Sequence, residues 1–221
     1  LHLPNRKLGS KGYTKDSPLT QIGIHQGLLT GEALRKAGVT IEHVYCSPSF
    51  RCVQTCDAVL RGLGKKDDLK INLEPGLFEW LVWYPESVPN WISVEELIAA
   101  GYNIDTSYTP KISQAELMNT HETCEEFYMR SAYVTKQVVA SKPVGNILFV
   151  AHACSLDVCS RDILGYAPRS TSEMTKLLSK VPYCGLVTLA KEEDKWKMVE
   201  APCPPLTHTN NQRFDWKMLQ Q

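Results

Sequence analysis

The sequence carries no excess of either charge and no long apolar run. Lysine plus arginine equal aspartate plus glutamate at 24 each, so no net field favours nucleic acid or an anionic membrane. Apolar runs such as ILFVA at residues 147–151 fall far short of the roughly 20 residues that a membrane helix needs, and no secretory signal opens the sequence. We therefore expect a soluble protein in which any attraction for anions is local.

The sequence also lacks the cysteine spacing of a disulfide framework. Its eight cysteines include no CxxC pair and stand in apolar contexts such as YCSPS and VPYCGL. Free cysteine behaves as a small apolar side chain, and disulfides are rare in reducing compartments. We expect buried free thiols and a cytoplasmic protein.

Motifs that hold metals or nucleotides are absent as well. The sequence has no HxxxH or HExxH pair, no GxGxxG or Walker loop and no GxSxG elbow. No metal and no cofactor are therefore predicted, and the chemistry is expected to come from side chains.

Apolar strands that alternate with amphipathic helices predict an α/β protein. Helical patterns cover 22–37, 50–64, 93–101, 122–140 and 172–180, and strand patterns cover 39–47, 69–75 and 146–152, followed by a hairpin that turns at 192–195. We predict a three-layer α/β/α sandwich with a mainly parallel sheet and a late antiparallel hairpin, in one domain spanning residues 1–221.

Arg51 follows the first predicted strand, in the stretch SPSFRCVQT. Ser47 and Pro48 end the strand, and Arg51 falls in the first turn of the next helix, where unpaired backbone N–H groups point outward. A guanidinium beside a helix N-terminus binds anions well. We expect Arg51 to bind a phosphate group, and the alternative is an ordinary solvated arginine.

Glu79 lies between Phe78 and Trp80 in an irregular, aromatic segment punctuated by proline. A carboxyl group packed against aromatic rings has its ionised form disfavoured, so we expect its pKa to rise towards that of a general acid. The alternative is that Glu79 simply points to water. Glu74, next to Pro75, is expected to be structural.

His152 ends the apolar strand ILFVA and is followed by small residues. Ligands of parallel sheets bind outside the carboxyl ends of the strands. Ala153 and Ser155 leave room for a ligand, and the helix that begins there offers further N–H donors. We expect a functional histidine, and the alternative is a core histidine with satisfied hydrogen bonds.

These three residues occur in the order used by the histidine phosphatase (phosphoglycerate-mutase-like) superfamily. Seven motifs carry a closer resemblance over essentially the whole chain: KDSPLT, HVYCSPSFRCVQT, EPGLFEW, NIDTSY, ILFVAHACSL, KVPYCG and the ending LTH…FDW. The sequence resembles the phosphatase domain of the suppressor of T-cell-receptor signalling (T-cell ubiquitin ligand) family and of the insect ecdysteroid-phosphate phosphatases. This resemblance implies a phosphoglycerate-mutase-like fold and a homodimer.

The resemblance also implies a covalent mechanism without a cofactor. In the family, the histidine of an Arg-His-Gly motif takes the phosphoryl group, arginines and a second histidine bind its oxygens, a glutamate protonates the leaving group, and water hydrolyses the phosphohistidine. Mapped onto matching motifs, Arg51 is a phosphate-binding arginine, Glu79 the proton donor and His152 the second histidine.

One part of the family pattern is absent from the sequence. Its six histidines follow Leu, Ile, Glu, Thr, Ala and Thr, so none belongs to an Arg-His-Gly motif. In the family this motif ends the first, central strand, upstream of the loop with which this sequence opens. We expect the nucleophile, two further phosphate-binding arginines and that central strand to lie in an N-terminal segment outside this sequence.

Two functions remain open at this point. The first is a phosphomonoesterase that acts on a phosphotyrosine protein or a steroid phosphate, with the aromatic segment 78–91 lining the leaving-group side. The second is a catalytically inactive module that binds phosphate and dimerises. A mutase is a third, less favoured possibility.

Overall fold

The helices and strands alternate along most of the chain. The computed structural model describes residues 3–118, 121–142, 144–204 and 216–221. Its α-helices are α1 (Gln21–Lys36), α2 (Phe50–Leu63), α3 (Val94–Ala99), α4 (Cys124–Ser141), α5 (Ser155–Val158) and α6 (Thr171–Leu178), its strands are β1 (His43–Cys46), β2 (Asn72–Leu73), β3 (Ile147–Val150), β4 (Thr188–Glu192) and β5 (Lys195–Val199), and short 3-10 helices cover Gly9–Tyr13, Pro75–Leu77, Leu81–Trp83, Ala115–Met118 and Trp216–Gln220. Within these ranges no helix combines the length and the apolar character needed to cross a membrane.

Three parallel strands form the main sheet, in the order β2-β1-β3. Cys46 of β1 pairs with Leu73 on one side and with Val150 on the other, so the carboxyl ends of the strands lie side by side. Strands β4 and β5 form a separate antiparallel hairpin that turns through Glu193 and Asp194, both at positive φ. The predicted parallel sheet and late hairpin are therefore confirmed, with strands shorter than the sequence pattern indicated.

Helices cover both faces of this sheet because successive strand residues point to opposite sides. Val44 and Cys46 pack in the same cluster as the core face of α2. Tyr45 and Phe149 point the other way and pack with Val134 and other residues of α4. The resulting three layers confirm the predicted α/β/α sandwich.

Helices α1 and α2 pack closely through two glycines. A Cβ atom on Gly31 would lie 2.0 Å from the Val59 carbonyl oxygen, and one on Gly62 would lie 2.2 Å from that of Leu28. Gly62 thus lies inside α2, which ends at Leu63 with Gly64 as its C-cap at a φ of 73°. All eight cysteines are free thiols, as expected, and five of them are buried.

Candidate active site

Arg51, Glu79 and His152 converge at the carboxyl edge of the sheet. Arg51 Nη2 lies 2.5 Å from Glu79 Oε1 and 3.0 Å from His152 Nδ1. His152 Nδ1 lies 3.6 Å from Glu79 Oε2. The structure thus brings together all three residues that the sequence singled out, from segments up to 101 residues apart.

The backbone around this cluster already uses the N–H groups that were expected to be open. Phe50 N–H, at the start of α2, donates to Asp16 Oδ1 at 2.7 Å. At α5, Ser155 N–H donates to the His152 carbonyl oxygen at 2.9 Å, and His152 N–H donates to Ser155 Oγ at 3.2 Å. The expectation of free helix donors is therefore wrong at Phe50 and Ser155.

His152 is held in one tautomer by its two neighbours. Arginine can only donate, so His152 Nδ1 accepts from Arg51 and the ring proton lies on Nε2. The Nε2–H group then donates a hydrogen bond to Ser47 Oγ at 2.8 Å, and Ser47 is fully buried. Burial lowers the pKa of His152 to about 3, with Arg51 acting in the same direction and Glu79 opposing. The imidazole is therefore neutral, with its unprotonated nitrogen facing the site.

A thiol and an aromatic ring complete the surroundings of His152. Phe78 meets the imidazole edge-to-face, with ring centroids 5.5 Å apart. Cys52 Sγ lies 3.8 Å from Nε2, and burial raises the pKa of this thiol to about 12. Cys52 is therefore a neutral wall of the site rather than a thiolate.

Glu79 is ionised in this arrangement, which corrects the expected rise in its pKa. Burial alone would raise the pKa, but the charge of the adjacent Arg51 guanidinium and hydrogen bonds from Tyr84 and Arg51 outweigh it. Tyr84 Oη donates to Glu79 Oε1 at 2.5 Å. The pKa of Glu79 consequently lies below its usual value, and the carboxylate is the partner of Arg51 rather than a water-facing group.

A buried ion pair fixes the loop that carries Glu79. Arg130 of α4 bonds Glu122 through Nε and Nη2 at 2.6 and 2.9 Å, and both side chains are 7% exposed. The same guanidinium donates to the carbonyl oxygens of Gly76, Phe78 and Glu79 at 2.8, 2.9 and 3.2 Å. The backbone from Gly76 to Glu79 is therefore bonded to α4.

Three of the five aromatic side chains in the segment 78–91 belong to the core. Phe78, Trp80 and Trp91 are buried, whereas Trp83 is 45% exposed. A cavity of 480 Å³ lies next to Arg51, with Trp83 and Tyr84 in its wall. The expectation that the whole segment lines the leaving-group side is wrong, and the part that borders the cavity is the stretch 83–86 in its middle.

Glu74 has the structural role expected of it. It is fully buried, and its carboxylate accepts from the N–H groups of Gly76, Lys111 and Ile112 and from the Tyr108 hydroxyl. These bonds close the loop between β2 and the Glu79 segment. No group of histidine, cysteine or acidic side chains in the described part of the chain is arranged to hold a metal ion.

Sequence reasoning missed Ser47, Tyr84 and Arg130. Arg130 carried a signal, because it occupies the same helical face as the buried residues Phe127 and Val134. Ser47 stands at the carboxyl end of a buried strand, a position at which parallel sheets bind ligands. Tyr84 lies in irregular chain, where spacing gives no information about which group it meets.

Known proteins share this arrangement of sequence and fold. The profile of the histidine phosphatase superfamily (branch 1) matches residues 5–203. An ecdysteroid-phosphate phosphatase of Drosophila melanogaster is 47% identical over 98% of this chain and 29% of its own length. The human ubiquitin-associated and SH3 domain-containing protein B is 41% identical over 97% of this chain and 34% of its own length. The chain thus spans about a third of these relatives.

A solved structure gives the same picture in three dimensions. The ecdysone phosphate phosphatase of Bombyx mori, crystallised with tungstate, aligns with a TM-score of 0.83 and 36% identity over 98% of this chain and 84% of that chain. A phosphatase from Escherichia coli, at 16% identity and a TM-score of 0.53, shares the fold. These similarities support the predicted phosphoglycerate-mutase-like architecture.

Proposed function

This chain belongs to the histidine phosphatase superfamily, and we propose that it forms part of a phosphomonoesterase that works through a phosphohistidine intermediate. The observation that carries the proposal is the convergence of Arg51, Glu79 and His152, whose polar atoms lie within 3.6 Å of one another. A cation, a carboxyl group and an imidazole around one point suit the binding of a phosphate monoester and the protonation of its leaving oxygen.

Arg51 is the phosphate-binding group of this proposal. Its side chain is 28% exposed, so it reaches both solvent and the buried pair of Glu79 and His152. A guanidinium binds phosphate oxygens through two parallel N–H donors. His152 joins it once Nδ1 is protonated, because an imidazolium on that side donates to the same anion while Ser47 holds Nε2.

Glu79 is the proton donor, and the phosphate itself prepares it. The contact with Arg51 keeps the Glu79 carboxylate ionised, so the carboxylate has to bind a proton before it can act as the acid. A phosphate that draws Arg51 away removes this stabilisation and adds negative charge, and both changes raise the pKa of Glu79. Tyr84 continues to hold the carboxyl group in place through its hydroxyl.

The reaction itself needs one group more. A histidine nitrogen forms the bond to phosphorus, the ester P–O bond breaks, and the leaving oxygen takes the proton from Glu79. We propose that this chain supplies the phosphate-binding Arg51, the proton donor Glu79 and the second histidine, His152. The sequence contains no Arg-His-Gly motif, so we assign the nucleophile to none of its residues. Water then releases phosphate, with the Glu79 carboxylate as the base.

The names of the relatives give one indication of the kind of substrate. Their names refer to an ecdysteroid phosphate in one case and to ubiquitin-associated and SH3 domains in the other. We propose a steroid phosphate or a phosphotyrosine protein as substrate, one domain over residues 1–221, a homodimer and a cytoplasmic location.

The test is hydrolysis of p-nitrophenyl phosphate by the natural full-length protein. Arg51→Ala should lower kcat/KM at least about 100-fold, as the loss of one transition-state donor does. Arg61→Ala is the matched control, since Arg61 lies on the same helix, its side chain is 42% exposed, and Lys66 also pairs with its partner Asp57. Unchanged turnover in Arg51→Ala would overturn the role of Arg51, and no turnover in the wild type despite tungstate binding would favour the inactive binding module.

A further inference from the structure

Helix α2, which carries Arg51 in its first turn, obtains its N-terminal cap from another part of the chain. Ser49 is the N-cap residue, but its side chain makes no cap bond, and its buried Oγ has no hydrogen-bond partner within the described residues. The Phe50 N–H instead donates to Asp16 Oδ1 at 2.7 Å, across 34 positions of sequence. Helices α1, α3, α4 and α6 are each capped by their own N-cap side chain. The first turn of α2 therefore depends on the segment before α1.

Asp16 is a buried group, and its partners hold it at the start of α2. Its side chain is 1% exposed. Burial raises the pKa of its carboxyl group, and the hydrogen bond from the Phe50 N–H and the charges of Arg51 and Arg6 oppose that rise. Arg6 Nη1 lies 3.9 Å from Asp16 Oδ2. Because a buried carboxylate is costly unless it is paired and hydrogen-bonded, these partners fix where Asp16 can lie.

The segment that carries Asp16 also contacts α2 at two other points. The rings of Tyr13 and Phe50 pack with their centroids 5.9 Å apart. One turn further along the helix, Gln54 Oε1 accepts from the Leu19 N–H at 2.6 Å. The first two turns of α2 are therefore held from outside the helix, and the bond from Asp16 is the contact that reaches the first residue through its backbone.

The side chain of Arg51 requires this fixation because it has two partners at once. Its Nη2 lies 2.5 Å from Glu79 Oε1 and 3.0 Å from His152 Nδ1. A small displacement of the first turn of α2 would break this shared contact, and a misplacement of about 1 Å can lower a rate about 100-fold. A carboxylate at a helix N-terminus also stabilises that turn through the helix dipole.

We infer that Asp16 is a positioning residue for catalysis, which caps α2 from the segment before α1 and thereby fixes the guanidinium of Arg51 at the phosphate site. The inference rests on the proposed function, because Arg51 must bind the phosphate group for its placement to affect turnover. Asp16 acts through the backbone of α2 and not by contact with the substrate.

Variants of the natural full-length protein separate positioning from stability. Asp16→Ala removes the cap, so kcat/KM for p-nitrophenyl phosphate should fall about 10-fold, within the range that a small misplacement of a catalytic group costs. Asp16→Asn keeps an oxygen that can accept from the Phe50 N–H and should retain most of the activity. Ser93→Ala is the matched control, because it removes the side-chain cap of α3, a helix without site residues, and it should leave kcat/KM unchanged.

A double-mutant cycle with Arg51→Ala tests the route of the effect. If Asp16 acts through Arg51, Asp16→Ala should cause little further loss of kcat/KM in the Arg51→Ala background. Asp16→Ser, whose hydroxyl is too short to replace the carboxylate, takes the place of Asp16→Ala in the cycle if that variant does not fold.

The outcomes separate this inference from the proposed function. Equal fold losses in both backgrounds, a loss in Asp16→Ala no larger than in Ser93→Ala, or equal losses in Asp16→Asn and Asp16→Ala overturn the positioning role and leave phosphate binding by Arg51 standing. Unchanged turnover in Arg51→Ala alone overturns both.

Discussion

Replacing Arg130 by methionine tests how much of the site depends on the buried ion pair behind it. Methionine keeps the length and apolar stem of the side chain but removes the charge and five N–H contacts. Two of those contacts go to the Glu122 carboxylate and three to the carbonyl oxygens of Gly76, Phe78 and Glu79.

The expected loss is set by the carboxylate that remains. Glu122 is 7% exposed, so without Arg130 it is a buried charge whose remaining partner is the Leu81 N–H at 3.1 Å. Breaking a buried pair in this way costs about 3–5 kcal/mol. This is a large part of the roughly 5–15 kcal/mol by which a domain is stable.

A double-mutant cycle read by urea unfolding isolates the charge. Glu122→Gln removes the negative charge while keeping the shape of the side chain. In the wild type it should destabilise, because Arg130 loses its counter-charge. In the Arg130→Met background it should be neutral or stabilising, because it removes the buried unpaired carboxylate.

The contrary result is additivity. If Glu122→Gln lowers the free energy of unfolding by the same amount in both backgrounds, within about 0.5 kcal/mol, the two side chains do not interact. The Arg130–Glu122 ion pair then makes no contribution to stability. Activity adds an independent readout in the full-length protein. The loop contacts predict that Arg130→Met lowers kcat and alters the pH profile limb assigned to Glu79 even at temperatures where the variant is folded.

Three further outcomes follow from the same contacts. Ser47→Ala should lower kcat/KM about 10-fold and shift its pH profile, because it removes the hydrogen-bond acceptor of His152 Nε2. Ser47→Thr keeps a hydroxyl group and should retain activity. Equal pH profiles of kcat/KM for the wild type and both variants would contradict this role of Ser47. The pKa of His152 is about 3 in the folded state and 6.5 in the unfolded state, so the unfolded state binds more protons below neutral pH. Lowering the pH from 7 to 5 should therefore reduce the free energy of unfolding of the wild type by about 2 kcal/mol more than that of His152→Asn. Urea unfolding at both pH values measures this difference. Carbon-13 NMR of Glu79 should show its pKa rising when tungstate binds, and a constant or falling pKa would refute the exchange of Arg51.

The architecture was predictable because it depends on patterns that neighbouring residues carry. The continuous apolar strand ILFV and the helical spacing of apolar residues in α1, α2 and α4 predict the three layers without reference to contacts between distant residues. Strand ends were less predictable. Val39 and Ile41 alternate like a strand but pack against the core outside the sheet, since pairing with β3 begins only at His43.

Within the site, residue identity was predictable and protonation state was not. Arg51, Glu79 and His152 could be selected because each stands where a strand or its following loop ends. The pKa of Glu79 was predicted with the wrong sign, because its neighbours in sequence are aromatic while its neighbours in space are Arg51 and the hydroxyl of Tyr84. Contacts between distant segments decide that balance, and local sequence carries no record of them.

The sharing of one guanidinium makes the low pKa of Glu79 compatible with the proposed acid catalysis. Arg51 Nη2 is within 3.0 Å of both Glu79 and His152, so one donor group serves two acceptors. A phosphate dianion is a stronger competitor for that donor than either a carboxylate or a neutral imidazole. In the proposed mechanism, the phosphate draws Arg51 away, Glu79 then binds a proton and His152 Nδ1 becomes a donor, so both groups gain the protons that the reaction needs only when the substrate is in place.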